Sequence, residues 1–216
     1  MDHPPKFVKS LFSLLLAGVI GTGLAAGPPV FDTPDRKSLG RGAHALKKGF
    51  PEDAVKNFQQ AARYGNKDAQ FTLGMMYVRG LGVEMDWAHG SAWLELAASH
   101  GNPEAIEANK QVREQLKPEE VRKAQQWTEK LAPEFGNAAA VERRETWIRK
   151  ERRKVTGSRT GRTAAVQIQV ADATGYTWQV AGPKYFELLE GSYILAFRQQ
   201  MGEVTIGELK VLEDEP

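Results

Sequence analysis

The hexapeptide Ala61-Ala62-Arg63-Tyr64-Gly65-Asn66 recurs 36 residues later as Ala97-Ala98-Ser99-His100-Gly101-Asn102, and Ala69 recurs at the same offset as Ala105. A self-similar period of this size marks stacked helix pairs, because a single pair cannot bury its apolar face alone and needs a neighbour. A second register agrees. Leu39-Gly40 and Leu73-Gly74 stand 34 residues apart, with Ala43 matching Tyr77, so the unit grows by a few residues inside its loop.

Local signals place the helices of this array. Pro51-Glu52-Asp53 opens a helix to about Tyr64 with Ala54, Val55, Phe58, Ala61 and Ala62 on one apolar stripe, and Gly65-Asn66 is expected to end it in the left-handed conformation. The next helix is predicted from Lys67 to Arg79. Asp86 caps another, with Trp87, Trp93, Leu94, Ala97 and Ala98 as its buried candidates, and Gly101-Asn102-Pro103 stops it before Glu104 starts again. Pro118-Glu119-Glu120 begins a helix through Trp127 and Leu131 to Pro133.

Leu73, Gly74, Tyr77, Gly80, Gly82, Val83, Asp86, Trp93, Ala97, Ala98 and Gly101 together resemble the SEL-like repeat, a relative of the tetratricopeptide repeat with a longer glycine-bearing loop. The resemblance covers one full repeat and parts of two more, roughly residues 38–133. On that pattern Gly80 and Gly82 supply positive φ angles in the turn, Val83 plugs the hairpin and Asp86 caps the second helix. Gly90 stands where the family has alanine, and the first unit carries a shorter loop, Lys48 to Asp53, closer to an ordinary tetratricopeptide. The resemblance implies protein–protein interaction through a groove, and exported bacterial members of the family assemble envelope complexes. Tyr77, Trp87 or Trp93 are candidate binding aromatics, although at helical spacing such rings are more often core. Tyr64 and His100 are expected to cover helix ends.

Lys6 and Lys9 precede an apolar run from Leu11 to Ile20 and the small residues Gly21 to Gly27, the three-part layout of a secretory signal. Residues 1–26 are therefore read as a signal peptide cleaved near Ala25 to Gly27, and 27–37, with Pro28-Pro29 and Asp32-Thr33-Pro34-Asp35, as a tether. A retained anchor fits less well, since a spanning helix needs ~20 apolar residues. The expected location is the periplasm, or outside the cell. The chain has no cysteine. Disulfides, thiolate metal sites, cysteine nucleophiles and acylated lipoprotein cysteines are thereby excluded.

The formal charge of +2 conceals a division. Residues 27–141 hold 15 basic and 15 acidic side chains, 142–162 hold nine against three, and 163–216 hold three against eight. The middle block, within a basic helix and linker at 136–162, is predicted to be helical from Ala138 to about Lys154. Its Arg143, Arg144, Arg149, Arg152 and Arg153 are candidate partner-binding residues for an anionic lipid or glycan surface or an acidic protein. The alternative is a solvated helix with Glu142, Glu145 and Glu151 as internal partners. Export disfavours nucleic acid as a partner.

Residues 163–216 change period. Val166 to Val170 and Tyr176 to Val180 alternate on either side of the turn Asp172-Ala173-Thr174-Gly175, which predicts a hairpin. Two more strands are expected at Tyr193 to Arg198 and Val204 to Val211, with 183–190 ambiguous between helix and strand. Phe186 to Tyr193 carries a Gly-x-Tyr pattern like that of small extracellular β-sandwiches. Tyr176, Trp178 and Tyr185 are candidates for stacking on sugar.

No metal or catalytic motif emerges. His3, His44, His89 and His100 are dispersed, no serine lies in a nucleophile-elbow pattern, and no phosphate loop is present. A carboxylate pair for glycoside hydrolysis is not selected by any spacing. The expected architecture is mainly α: a short α-solenoid of stacked helix pairs at 38–135, followed by a small antiparallel β module at 163–216. The expected function is a non-enzymatic adaptor without cofactor in a cell-envelope assembly, binding one or more envelope proteins. The alternatives are a glycan- or peptidoglycan-associated module and, behind it, an envelope hydrolase.

Overall fold

A computed structural model describes residues 30–99, 102–156, 167–195 and 197–198. The signal segment, the 157–162 linker, His100, Gly101 and the strand expected at 204–211 lie outside the described residues. Seven helices come first: α1 (Pro34–Lys47), α2 (Pro51–Ala62), α3 (Lys67–Arg79), α4 (Trp87–Ala98), α5 (Pro103–Gln115), α6 (Pro118–Phe135) and α7 (Asn137–Thr156). An antiparallel hairpin follows, β1 (Gln167–Ala171) and β2 (Thr177–Ala181), then α8 (Gly182–Glu190) and a π-helical turn (Gly191–Leu195). The architecture is mainly α with a small antiparallel β element, as the period predicts.

Helices α3, α4 and α5 begin where a side chain satisfies orphan N–H groups. Asn66, Asp86 and Asn102 accept from Ala69 N–H, His89 N–H and the N–H groups of Glu104 and Ala105. Lys117 N–H donates to Glu120 at 2.9 Å to start α6. Gly65 alone is left-handed at the end of α2, with φ +73°, whereas Asn66 has φ −68° and begins α3. One residue breaks the helix and the next starts another, which leaves no room for a two-residue left-handed stop.

Helix α1 packs on α2, α2 on α3, α3 on α4, and α4 on both α5 and α6. Small residues set these distances. A Cβ at Gly74 would lie 2.7 Å from Leu94 Cγ, and one at Gly90 would lie 2.9 Å from Gly74 O, so α3 and α4 cross backbone to backbone. Phe58, Leu73, Met76, Trp93, Leu96 and Phe135 fill the core between the pairs. The glycine loop locks neighbouring units: Gly82 has φ +71°, and a Cβ there would sit 2.4 Å from the carbonyl carbon of Pro51 at the start of α2.

Three readings are corrected. Residues 30–35 are not a tether. Phe31, Thr33 and Asp35 are buried, Val30 N–H bonds Ala171 O at 2.8 Å, and α1 begins at Pro34. Tyr193–Leu195 and Phe197–Arg198 are helical rather than a strand, and Gly191-Ser192-Tyr193 is not a β-sandwich turn. Leu189, Tyr193 and Phe197 are buried at four-residue spacing, so a helical face rather than an alternating one fills the space beneath α7. The ambiguous 183–190 stretch is helical. The hairpin itself keeps the expected turn, with register Gln169↔Gln179 and the Asp172 carboxylate accepting from Thr174 and Tyr176 N–H.

Candidate functional site

Two open clefts lie on the helical repeats. One, of about 420 Å³, runs between α3 and α5 beside the first residue of α4, with Met75, Val78, Trp87, Ala108 and Val112 among its lining residues. The loop after α3 leaves Leu81 and Met85 exposed. The other, of about 820 Å³, lies between α1 and the first turns of α2 and is lined by Arg36, Arg41, His44, Lys48 and Phe50 among others.

The three candidate aromatics separate cleanly. Trp93 is 1 % exposed and edges onto Phe135 at 4.7 Å, so it is core. Tyr77 packs on His89 with ring centroids 3.9 Å apart and planes tilted by 31°, and His89 lies parallel to Trp127 at 3.9 Å. Burial in this slot pushes the His89 pKa down to about 4 against the opposing pull of Asp86. Trp87 is half-buried and lines the α3–α5 groove. Sequence spacing cannot separate Trp87 from Trp93, because the groove wall is supplied by α5.

The repeat residues Leu73, Gly74, Trp93 and Ala97 are buried, Gly80 and Gly82 are left-handed, Asp86 caps α4, and Val83 packs against the core. The helical region thus has the paired-helix geometry that its resemblance to the SEL-like repeat implies.

The candidate arginines on α7 divide by what they bind. The Arg144 side chain is 8 % exposed; it donates to Tyr64 O at 2.7 Å and Tyr193 O at 2.6 Å, and its guanidinium lies over the rings of Tyr193 and Phe197. Asp35 is 4.0 Å away and also receives Asn66 Nδ2 at 3.1 Å. Burial beside Asp35 pushes the Tyr193 hydroxyl pKa up. Arg143 donates to Arg63 O at 2.9 Å and to Glu134 O. Arg152 pairs with Glu190 and covers the Phe186 ring. Arg149 and Arg153 are exposed, the former donating to Thr146. Glu145 and Glu151 are internal partners, of Arg198 and Lys154.

Guanidinium on helix-terminal carbonyl is thus how α7 joins the array. A parallel junction lies inside the repeats. Lys67 Nζ donates to Leu96 O at 2.8 Å and Gln70 Oε1 at 2.9 Å, while Gln70 Nε2 donates to Phe135 O at 2.9 Å. The ends of α4 and α6 meet there, and burial with the charge of Arg144 pushes the Lys67 pKa down to about 7.

On the hairpin, Tyr176 and Trp178 stack with centroids 6.0 Å apart, Tyr176 being 54 % exposed. Tyr185 does not join them. It sits on α8, edge-on to Phe31 at 5.5 Å. Among the described residues no group of His, Asp and Glu is placed to hold a metal ion, and no helix is long and apolar enough to cross a membrane.

The chain matches no protein-family model. It is 29% identical over 81 residues to the alginate biosynthesis protein AlgK of Azotobacter vinelandii, covering 38% of this chain and 18% of that relative. It is also similar to the crystal structure of a protective antigen of uropathogenic Escherichia coli strains that displays an SLR fold: TM-score 0.45, 23% identity, covering 51% of this chain and 25% of the other. The chain therefore spans about a fifth to a quarter of the length of these proteins.

Proposed function

We propose that this protein is a non-enzymatic interaction scaffold, exported to the periplasm, that holds a protein partner of a cell-envelope assembly in the α3–α5 groove. The observation that carries this reading is the groove itself. Met75, Val78, Trp87 and Val112 form an apolar floor on a repeat framework in which Phe58, Tyr77, Trp93, Trp127 and Phe135 are used in packing. The likeness to part of an alginate biosynthesis protein supports a role beside the synthesis of a polysaccharide.

Capture of cross-linked partners from cells tests it. Val78→Glu and Trp87→Ala should abolish recovery of one envelope protein set while leaving helical content intact. Tyr176→Ala with Trp178→Ala should leave that recovery unchanged. The reverse pattern would move the function to the hairpin.

A second reading rests on that hairpin. Exposed Tyr176 stacks on half-buried Trp178 beside β2, an aromatic surface suited to the apolar face of a sugar. On this reading the protein associates with a glycan such as peptidoglycan, and the double aromatic variant loses co-sedimentation with sacculi. Arg149 and Arg153 would add attraction to an anionic lipid or glycan surface.

A further inference from the structure

We propose that the α1–α2 cleft is a docking site for an acidic linear segment, and that its occupant is the chain's own Val211-Leu212-Glu213-Asp214-Glu215. The cleft stands apart from the α3–α5 groove, so this inference and the scaffold reading fail independently.

Charge use across the molecule singles the cleft out. Arg63, Arg113, Arg143, Arg144, Arg152 and Arg198 are all engaged with carboxylates or carbonyls. Of the cleft cations, Lys37 and Lys56 pair with Asp32 and Asp53. Arg36, Arg41, His44 and Lys48 are exposed, and among the described residues their side chains make no ion pair or hydrogen bond. They follow one side of α1 over a length of about 18 Å. Asp53 is the sole carboxylate in the lining, and Phe50, 59 % exposed, offers an apolar foothold at the far end.

The chain carries the complement. Residues 199–216 hold five acidic side chains against one lysine, three of them consecutive after Val211-Leu212. The described chain also leaves from the right place. The Phe197 ring lies 4.0 Å from the Arg144 guanidinium, which is itself 4.0 Å from Asp35, the residue before Arg36. The stretch from Arg198 to Leu212 can extend to ~45 Å, well beyond the cleft's length. Leu212 then meets Phe50, and the three carboxylates meet Arg41, His44 and Lys48. Because these charges stay near water, the contact is salt-sensitive.

The test is zero-length carbodiimide cross-linking of the full chain, as a mixture of ¹⁵N-labelled and unlabelled protein, read by mass spectrometry. The expected result is amide links from Lys48 or Lys37 to residues 213–215 within one chain. Their yield should be about five-fold lower at 1 M salt, where the Debye length is ~3 Å. It should fall similarly in Arg36→Glu/Arg41→Glu, which keeps both lysines, and persist in Arg36→Lys/Arg41→Lys. Three results would overturn the proposal: no such links, links only between labelled and unlabelled chains, or a yield indifferent to the charge reversal.

Discussion

Around Trp93 the helices meet through alanine, glycine and aromatic rings; around Arg144 the last helix meets the rest through a guanidinium laid on carbonyls and flanked by a buried carboxylate. Both regions bury apolar side chains. The second cluster, Phe31, Ile148, Phe186, Leu189 and Tyr193, is smaller and is bordered by the Arg152–Glu190 and Arg198–Glu145 pairs. The contrast teaches that the repeat units meet mainly through shape, with Lys67 and Gln70 adding polar ties at helix ends, since each unit meets a near-copy of itself. A segment of different period has no matching surface and is fastened by directional polar contacts.

Arg144→Ala should cost the most, about 3–5 kcal/mol, because Asp35 is left buried and the carbonyls of Tyr64 and Tyr193 lose their donor. Urea unfolding with limited proteolysis would show α8 lost before the repeats. Arg144→Lys should not restore it, since an ammonium lacks the fork that reaches both carbonyls. A cost below about 1 kcal/mol would mean that the apolar cluster alone holds the layer and the contrast is unfounded.

Gly82→Val strikes the other region. Its positive φ and the Pro51 backbone beside it predict a loss of about 2–4 kcal/mol in the repeat body, read as a fall in Tm. Gly40→Ala is the control, since nothing lies within 4 Å of a Cβ there and the site is helical; it should gain up to about 1 kcal/mol.

His89 sharpens the contrast through acid. Its folded pKa of about 4 lies below the ordinary 6.5, so between these values the unfolded chain binds more protons. Stability should therefore fall as pH drops from 6.5 to 4, by about 1 kcal/mol once partial exposure is allowed for. His89→Phe should flatten that part of the pH profile. Arg149→Ala with Arg153→Ala should have the least effect, within about 0.5 kcal/mol, because neither side chain is buried.

The cap at Asp86 and the left-handed Gly80 and Gly82 were legible in the sequence because the physics that decides them is local: a side-chain oxygen within three residues, or an allowed φ. The second region was not legible for the opposite reason. Arg144 resembles its neighbours on α7 until Tyr64, 80 residues earlier, and Tyr193, 49 later, are brought beside it. The spacing of Leu189, Tyr193 and Phe197 did carry a helical signal, masked by β-favouring Tyr193 and Ile194. Trp87 was visible as an aromatic, but its place in the groove depends on α5.

Arg143 holds Arg63 O at the end of α2 and Glu134 O at the end of α6, and so ties the first helix pair to the last. Mechanically this is a chord across an arc. Repeat arrays flex like springs because each unit touches only its neighbours; here stretching or unwinding would pull a guanidinium off one carbonyl or the other. A ligand of the array meets a fixed curvature and need not bend it first, so the brace converts into affinity what a free spring would lose as configurational entropy.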